Sequence, residues 1–204
     1  IYTYGERILK SRLKKAEGAA KEAEAQDLMK LYDQWIANFP SRKGKNMIGS
    51  ILASKAQTMM DYKLGTTAEI YAVFDDAFTK DITSFTNPKG LYNYFKTMHD
   101  LYKEGAAGVT PEKLFNKYEE VSEKFELEGT KLAKKLDVLL KKEESGSPLT
   151  TRDLKNRKKF DTNSKAIGIF LSNLDAIISK ESTCENLIPL YTRNFEENKN
   201  DAVW

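Results

Sequence analysis

The sequence predicts an all-α protein, an antiparallel stack or bundle of about eight helices. Two observations carry this. Apolar side chains recur at steps of three and four through most of the 204 residues, the period of one helix face. Period-two alternation never persists, and neither Asn-Gly nor Asp-Gly, the strongest hairpin signals, occurs anywhere.

The elements follow in order. Ile1, Ile8, Leu9 and Leu13 form a first stripe, predicting a helix over 1–17. Leu28, Leu31, Tyr32, Trp35, Ile36 and Phe39 predict a second over 19–39, separate from the first or continuous with it. The Ala- and Glu-rich stretch 16–26 favours helix while offering little to bury. Phe39-Pro40 ends this segment, because a residue before proline is biased away from helical dihedrals. Ile48, Ile51, Leu52, Ala56, Met59 and Tyr62 mark the third helix, closed by Gly65. Thr66 with Glu69 fits a capping box, in which hydroxyl and carboxylate each satisfy an orphan backbone N–H. The fourth helix carries Ile70, Val73, Phe74, Ala77 and Phe78.

Asn87-Pro88 supplies a cap and a preorganised first turn for the fifth helix, which Gly105-Ala106-Ala107-Gly108 stops. Thr110-Pro111-Glu112 opens the sixth by the same logic. Its stripe of Leu114, Tyr118, Val121, Phe125, Leu132, Leu136 and Leu139 approaches heptad spacing, but Glu128-Gly129 interrupts the seam. A long packed helix is therefore expected rather than a free-standing coiled coil. Ser145-Gly146-Ser147-Pro148 is the clearest loop and the candidate internal boundary, at 145–150. Thr150 with Asp153 opens the seventh helix, whose buried face should hold Phe160, Ile167, Phe170, Leu171, Leu174, Ile177 and Ile178. Ser182 with Glu185 could cap an eighth, and Pro189 then requires a late start or a kink.

A chain of this size buries roughly 70% of its unfolded surface and needs no metal or disulfide for stability. The 33 basic and 30 acidic residues interleave and leave a net charge of only +3. A phosphate backbone would meet nearly as much repulsion as attraction, which argues against nucleic acid. The exception is the cluster Arg152, Lys155, Arg157, Lys158 and Lys159, read either as a solvated helix face or as a site for an acidic partner. No run approaches the ~18 apolar residues of a membrane span. One cysteine permits no internal disulfide and fits cytosol or periplasm equally.

Most chemistry is excluded by residue counts. His99 is the only histidine and Cys184 the only cysteine, so H-E-x-x-H, two-histidine metal sites and zinc fingers cannot be built from these residues. No Gly-x-Ser-x-Gly elbow, P-loop, G-x-G-x-x-G or calcium loop occurs. Asp75-Asp76 and Glu143-Glu144 are neighbours in sequence and diverge on a helix, so they make no acid–base pair. Cys184 is expected as a small buried residue at a helix start. His99 is either a packing residue or a phosphotransfer histidine on a helical bundle. No catalytic, cofactor-binding or metal site is assigned. Aromatic residues are mostly core, but Tyr2 with Tyr4, and Tyr92 and Tyr94 with Phe95, spread around their helices. Tyr92 and Tyr94, together with the basic cluster, are the candidate partner-binding residues, anchors for a peptide or helix.

The pair Leu-Tyr recurs at 31–32, 91–92, 101–102 and 190–191. The opening Ile1-Tyr2-Thr3-Tyr4-Gly5-Glu6-Arg7-Ile8-Leu9-Lys10, the phrase Asp27-Leu28-Met29-Lys30-Leu31-Tyr32-Asp33 and the closing stretch from Asn194 to Trp204 resemble tetratricopeptide-repeat-like cell-envelope proteins of the Bacteroidetes. That resemblance is strongest at the two ends, and the W-x2-L-G-x2-Y repeat signature is not legible. It implies an irregular tetratricopeptide-like solenoid, a non-catalytic scaffold binding another protein through a groove, and a place in the periplasm or at the outer membrane. The chain begins inside a helical pattern without Met and stops at Asp201-Ala202-Val203-Trp204 as another begins, which predicts a fragment of a longer protein. Two other functions stay open at this stage: a helical accessory region of an enzyme whose catalytic part lies elsewhere, and a phosphotransfer or sensor domain using His99.

Overall fold

The ends of the helices are written in short-range side-chain chemistry. Thr66 and Thr150 each accept a hydrogen bond from the backbone N–H three residues on, and the Glu69 and Asp153 carboxylates accept one from the backbone N–H of the cap, so both capping boxes form. Asn87 accepts from Gly90 N–H at 2.9 Å, and Thr110 caps a helix with proline in its first turn. In the computed structural model, which describes residues 2–198, these signals delimit α1 (Tyr2–Leu13), α2 (Gly18–Asn38), α3 (Ile48–Tyr62), α4 (Thr67–Asp81), α5 (Pro88–Lys103), α6 (Pro111–Glu144), α7 (Thr151–Glu181) and α8 (Cys184–Asn198). The described residues are all-α but for one small hairpin. Ile1, the end of the closing phrase and the helix expected from Asp201 lie outside them.

One open choice closes and three local expectations are corrected. The first two helices are separate: α1 ends at Leu13, and Gly18 takes a left-handed φ of +53° at the next start. A short hairpin, β1 (Ser41–Arg42) with β2 (Lys45–Asn46), turns on Lys43 and Gly44, both at positive φ, as a two-residue primed turn requires. Its strands are polar and exposed, so they carry no alternation to read. The eighth helix is capped by Thr183, which accepts from Asn186 N–H at 3.3 Å, while the Ser182 hydroxyl donates back to the Ile178 carbonyl. Pro189 is only the sixth residue of that helix and lies inside it. Cys184 does open the helix, but it is exposed.

The chain divides into two units, Ile1–Thr97 and Met98–Trp204, with the division inside α5 rather than at the 145–150 loop. In the first unit α1 packs on α2, α2 on α3 and α3 on α4. Leu13, Ala25, Leu28, Tyr32 and Ile51 form one buried cluster. Phe74, Phe78, Phe85 and Tyr94 form an aromatic cluster with centroids 5.2 to 6.4 Å apart. In the second unit α6 and α7 pack together, with Leu114, Val121, Phe125, Leu132 and Leu139 buried on α6, and Ile167, Leu174 and Ile178 on α7. Phe160, Phe170, Leu171 and Ile177 are only half buried. The loop at 145–150 thus joins two packed helices of one unit.

Two buried phenols make the first unit sensitive to alkali. The Tyr32 hydroxyl donates to Glu6 at 2.7 Å and lies 2.8 Å from the Thr58 hydroxyl. The Tyr94 hydroxyl donates to Asp75 at 2.5 Å. Burial pushes both phenols far above their ordinary 10.0. Above that pH the unfolded chain sheds protons that the folded unit keeps, so stability is fully present below pH ~10 and falls above it, by about 1.4 kcal/mol per pH unit for each group. Urea midpoints measured through this range should show the fall, and Tyr32→Phe or Tyr94→Phe should each remove about half of its slope.

Candidate functional site

Helical spacing turns one face of each of three helices toward a shared groove in the first unit. Helix α2 supplies Glu22, Ala25, Gln26, Met29 and Asp33, at steps of three and four, with Lys21 and Lys30 at the edges of that face. Helix α3 supplies Lys55, Met59 and Tyr62, and α4 supplies Glu69, Ala72 and Val73. The turn Lys63-Leu64-Gly65 completes the lining of a groove of about 1010 Å³. Gly65 is required in that turn. Its φ is +89°, and a Cβ there would meet the Glu69 carboxylate at 2.9 Å and the Met59 methyl at 3.3 Å.

The floor is apolar and only half covered. Met29, Met59, Tyr62, Leu64 and Val73 are each half buried, and Ala72 is exposed. Two unbranched methionines give this floor the adaptability of flexible, polarizable side chains. Small residues at Ala25 and Ala72 hold the space open. The Tyr62 phenol is pushed above its ordinary range by burial and by the neighbouring Asp61 charge, so it stays neutral.

Around the floor runs a charged rim. Asp33 accepts from Lys55 at 2.5 Å, tying α2 to α3. Glu69 is held below the ordinary carboxylate range by hydrogen bonds from the Thr66 backbone and hydroxyl. Both carboxylates are thus engaged at home. Among the described residues Lys21, Lys30 and Lys63 enter no ion pair, and neither does Glu22.

The residues singled out from sequence fall elsewhere. Tyr94 is corrected: its ring is fully buried in the aromatic cluster, because α5 buries Leu91, Asn93, Tyr94, Phe95 and Thr97 almost all round, so it can anchor nothing outside the unit. Tyr92 is half buried. In the basic cluster Arg152, Lys155, Lys158 and Lys159 are exposed on α7. Arg157 is half buried and turned toward α6, with one guanidinium nitrogen 2.8 Å from both Glu143 oxygens. The structure therefore splits this cluster rather than joining it.

His99 is enclosed in the second unit. Its Nε2 lies 3.0 Å from Glu181, and its Nδ1 is buried with no hydrogen-bond partner among the described residues. Nδ1 is shielded from solvent, and Nε2 is engaged with Glu181. Lys103 also donates to Glu181, at 3.2 Å, and these two bonds hold that carboxyl below its ordinary range against the opposing effect of burial. Among the described residues no three His, Cys, Asp or Glu side chains converge to hold a metal, and no helix is long and apolar enough to cross a membrane.

The fold and the groove together define an all-α protein of packed helix pairs whose first unit carries an open, amphipathic groove. Comparison with known families, curated proteins and solved structures returns no match, so this groove is read from its own chemistry.

Proposed function

We propose that this chain is a non-catalytic interaction scaffold that holds a segment of another protein in the groove between α2, α3 and α4. One observation carries the reading: a half-exposed apolar floor of two methionines, Tyr62, Leu64 and Val73 lies inside a ring of charged side chains. Such a surface suits apolar anchors, with the rim setting rate and specificity. Polar groups that converge on a reacting atom are what an enzyme would need in the same place, and the Asp33 and Glu69 carboxylates are spent on Lys55 and on a helix cap. The phrases at 1–10, 27–33 and 194–204 resemble tetratricopeptide-like envelope proteins, and they support a periplasmic or outer-membrane setting and a solenoid-like arrangement of the helix pairs.

Ala72 tests this reading, because it lines the groove yet is exposed and outside the core. Ala72→Trp should fill the channel and leave the helical circular dichroism spectrum and thermal midpoint unchanged. Retention of a partner from native envelopes should then drop at least tenfold, about 1.4 kcal/mol of binding free energy. Undiminished retention by the folded variant would rule the groove out.

A further inference from the structure

Positive charge is concentrated at one end of the second unit. From Lys131 to Lys159, the last turns of α6, the first turns of α7 and the loop between them, the chain carries ten basic and four acidic residues, so the rest of a protein of net charge +3 is negative. Pairing does not cancel this excess. Asp137 holds Lys141, Asp153 holds Lys142 and Glu143 holds Arg157, while Lys131 goes to Glu128. Just beyond the segment Asp161 is taken by Lys165. Lys134, Lys135, Arg152, Lys155, Lys158 and Lys159 enter no ion pair among the described residues, against the single carboxylate of Glu144.

The two helices bring this charge together. Lys131, Lys135 and Lys142, at steps of four and seven, share one side of α6, and Arg152, Lys155 and Lys159, at steps of three and four, share one side of α7. Contacts across the hairpin join the two sides: the Lys135 ammonium lies 5.6 Å from the centre of the Phe160 ring, and Lys142 donates to Asp153 at 2.6 Å. The same tip exposes apolar side chains. Val138, Leu140 and Leu154 are 65%, 45% and 53% exposed, each within about one helical turn of the Lys142–Asp153 bond. A nucleic acid would use the lysines and leave these three in water, and no residue from 131 to 159 is aromatic to stack on a base. A protein groove needs its anchors on one stripe, whereas Val138 and Leu140, two residues apart, point to different sides of α6. An acidic bilayer takes both features, because it surrounds an inserted tip with acyl chains and meets its flank with headgroup charge.

We propose that the tip of the α6–α7 hairpin docks on the surface of a bilayer containing anionic lipid. Val138, Leu140 and Leu154 enter the boundary between headgroups and acyl chains, and the unpaired lysines lay their apolar stems along it while their ammonium groups reach lipid phosphates. The contact is peripheral, and it belongs to the second unit, so it is independent of the groove.

Co-sedimentation of the full chain with lipid vesicles tests it. Affinity for vesicles of phosphatidylglycerol with phosphatidylcholine should exceed that for phosphatidylcholine alone by ~10-fold or more, and should fall as salt screens the surface. The triple variant Lys155→Glu/Lys158→Glu/Lys159→Glu should lose that advantage. The double variant Val138→Ser/Leu154→Ser, which keeps every charge, should bind the acidic vesicles roughly tenfold more weakly at the same salt. All five positions are exposed, and circular dichroism verifies that both variants fold. Equal affinity for the two kinds of vesicle overturns the proposal, as does undiminished binding by either folded variant. A single-stranded oligonucleotide that binds as tightly as the acidic vesicles, and is indifferent to Val138→Ser/Leu154→Ser, would overturn it in favour of nucleic acid.

Discussion

Glu128→Ala is expected to destabilise the Met98–Trp204 unit by about 3–5 kcal/mol, the cost of stranding a buried charge. The Lys124 side chain is 1% exposed, and its ammonium meets the Glu128 carboxylate at 2.7 Å. Lys131 donates to the same oxygen at 2.7 Å. Burial raises the Glu128 carboxyl, but these two hydrogen bonds overcome it and hold the group below its ordinary 4.5. The pair therefore contributes stability above that pH and loses it as pH falls through the lower folded value. Removing the carboxylate leaves Lys124 without an ion-pair partner among the described residues. Replacing both members, as Lys124→Met with Glu128→Leu, should restore stability to near wild type, because no ion is then left unpaired. Hydrogen exchange followed by mass spectrometry reads α6 and α7 directly. A loss below about 1 kcal/mol in the single variant would mean that Lys124 reaches water.

Gly49→Ala should cost about 3 kcal/mol in the first unit, at the upper end of what overpacking usually costs. A Cβ at Gly49 would lie 2.0 Å from the Asp81 carbonyl oxygen and 2.9 Å from that of Ala77. Both obstacles are backbone, so no side-chain rotation relieves them, and α3 must move off the end of α4. The Gly49 N–H also donates to the Asp81 carboxylate at 3.2 Å, a group that accepts from Ser84 as well. Since α3 and α4 carry two walls of the groove, the same methyl group should weaken partner retention along with the urea midpoint. Wild-type stability and retention in this variant would show that the helix crossing is looser than its geometry implies.

How far the sequence could be read depends on how local each determinant is. Helix ends at Thr66, Asn87, Thr110 and Thr150 were legible because a cap and its backbone donor lie three residues apart. The long α6 was legible as a packed helix, although Glu128 in its seam is a buried ion-pair member rather than a break. Tyr94 was misread because aromatic residues surround α5, and only the packing of Phe74, Phe78 and Phe85 decides which of them is enclosed. Arg157 could not be separated from its basic neighbours, since its partner Glu143 lies across a loop on another helix. The groove was invisible for a different reason. It is made by what Ala25 and Ala72 lack, and small side chains on three helices give no signal until the helices are laid side by side.

The claim that a partner segment occupies this groove is tested most directly by photo-crosslinking in cells. A photoreactive residue at Ala72 faces the channel, whereas one at Arg42, on the exposed hairpin, does not line it. The account predicts a discrete covalent adduct from position 72 and none above background from position 42, the adduct's mass reporting a second copy or another protein. Adducts of equal yield from both positions, or none from position 72, would contradict it.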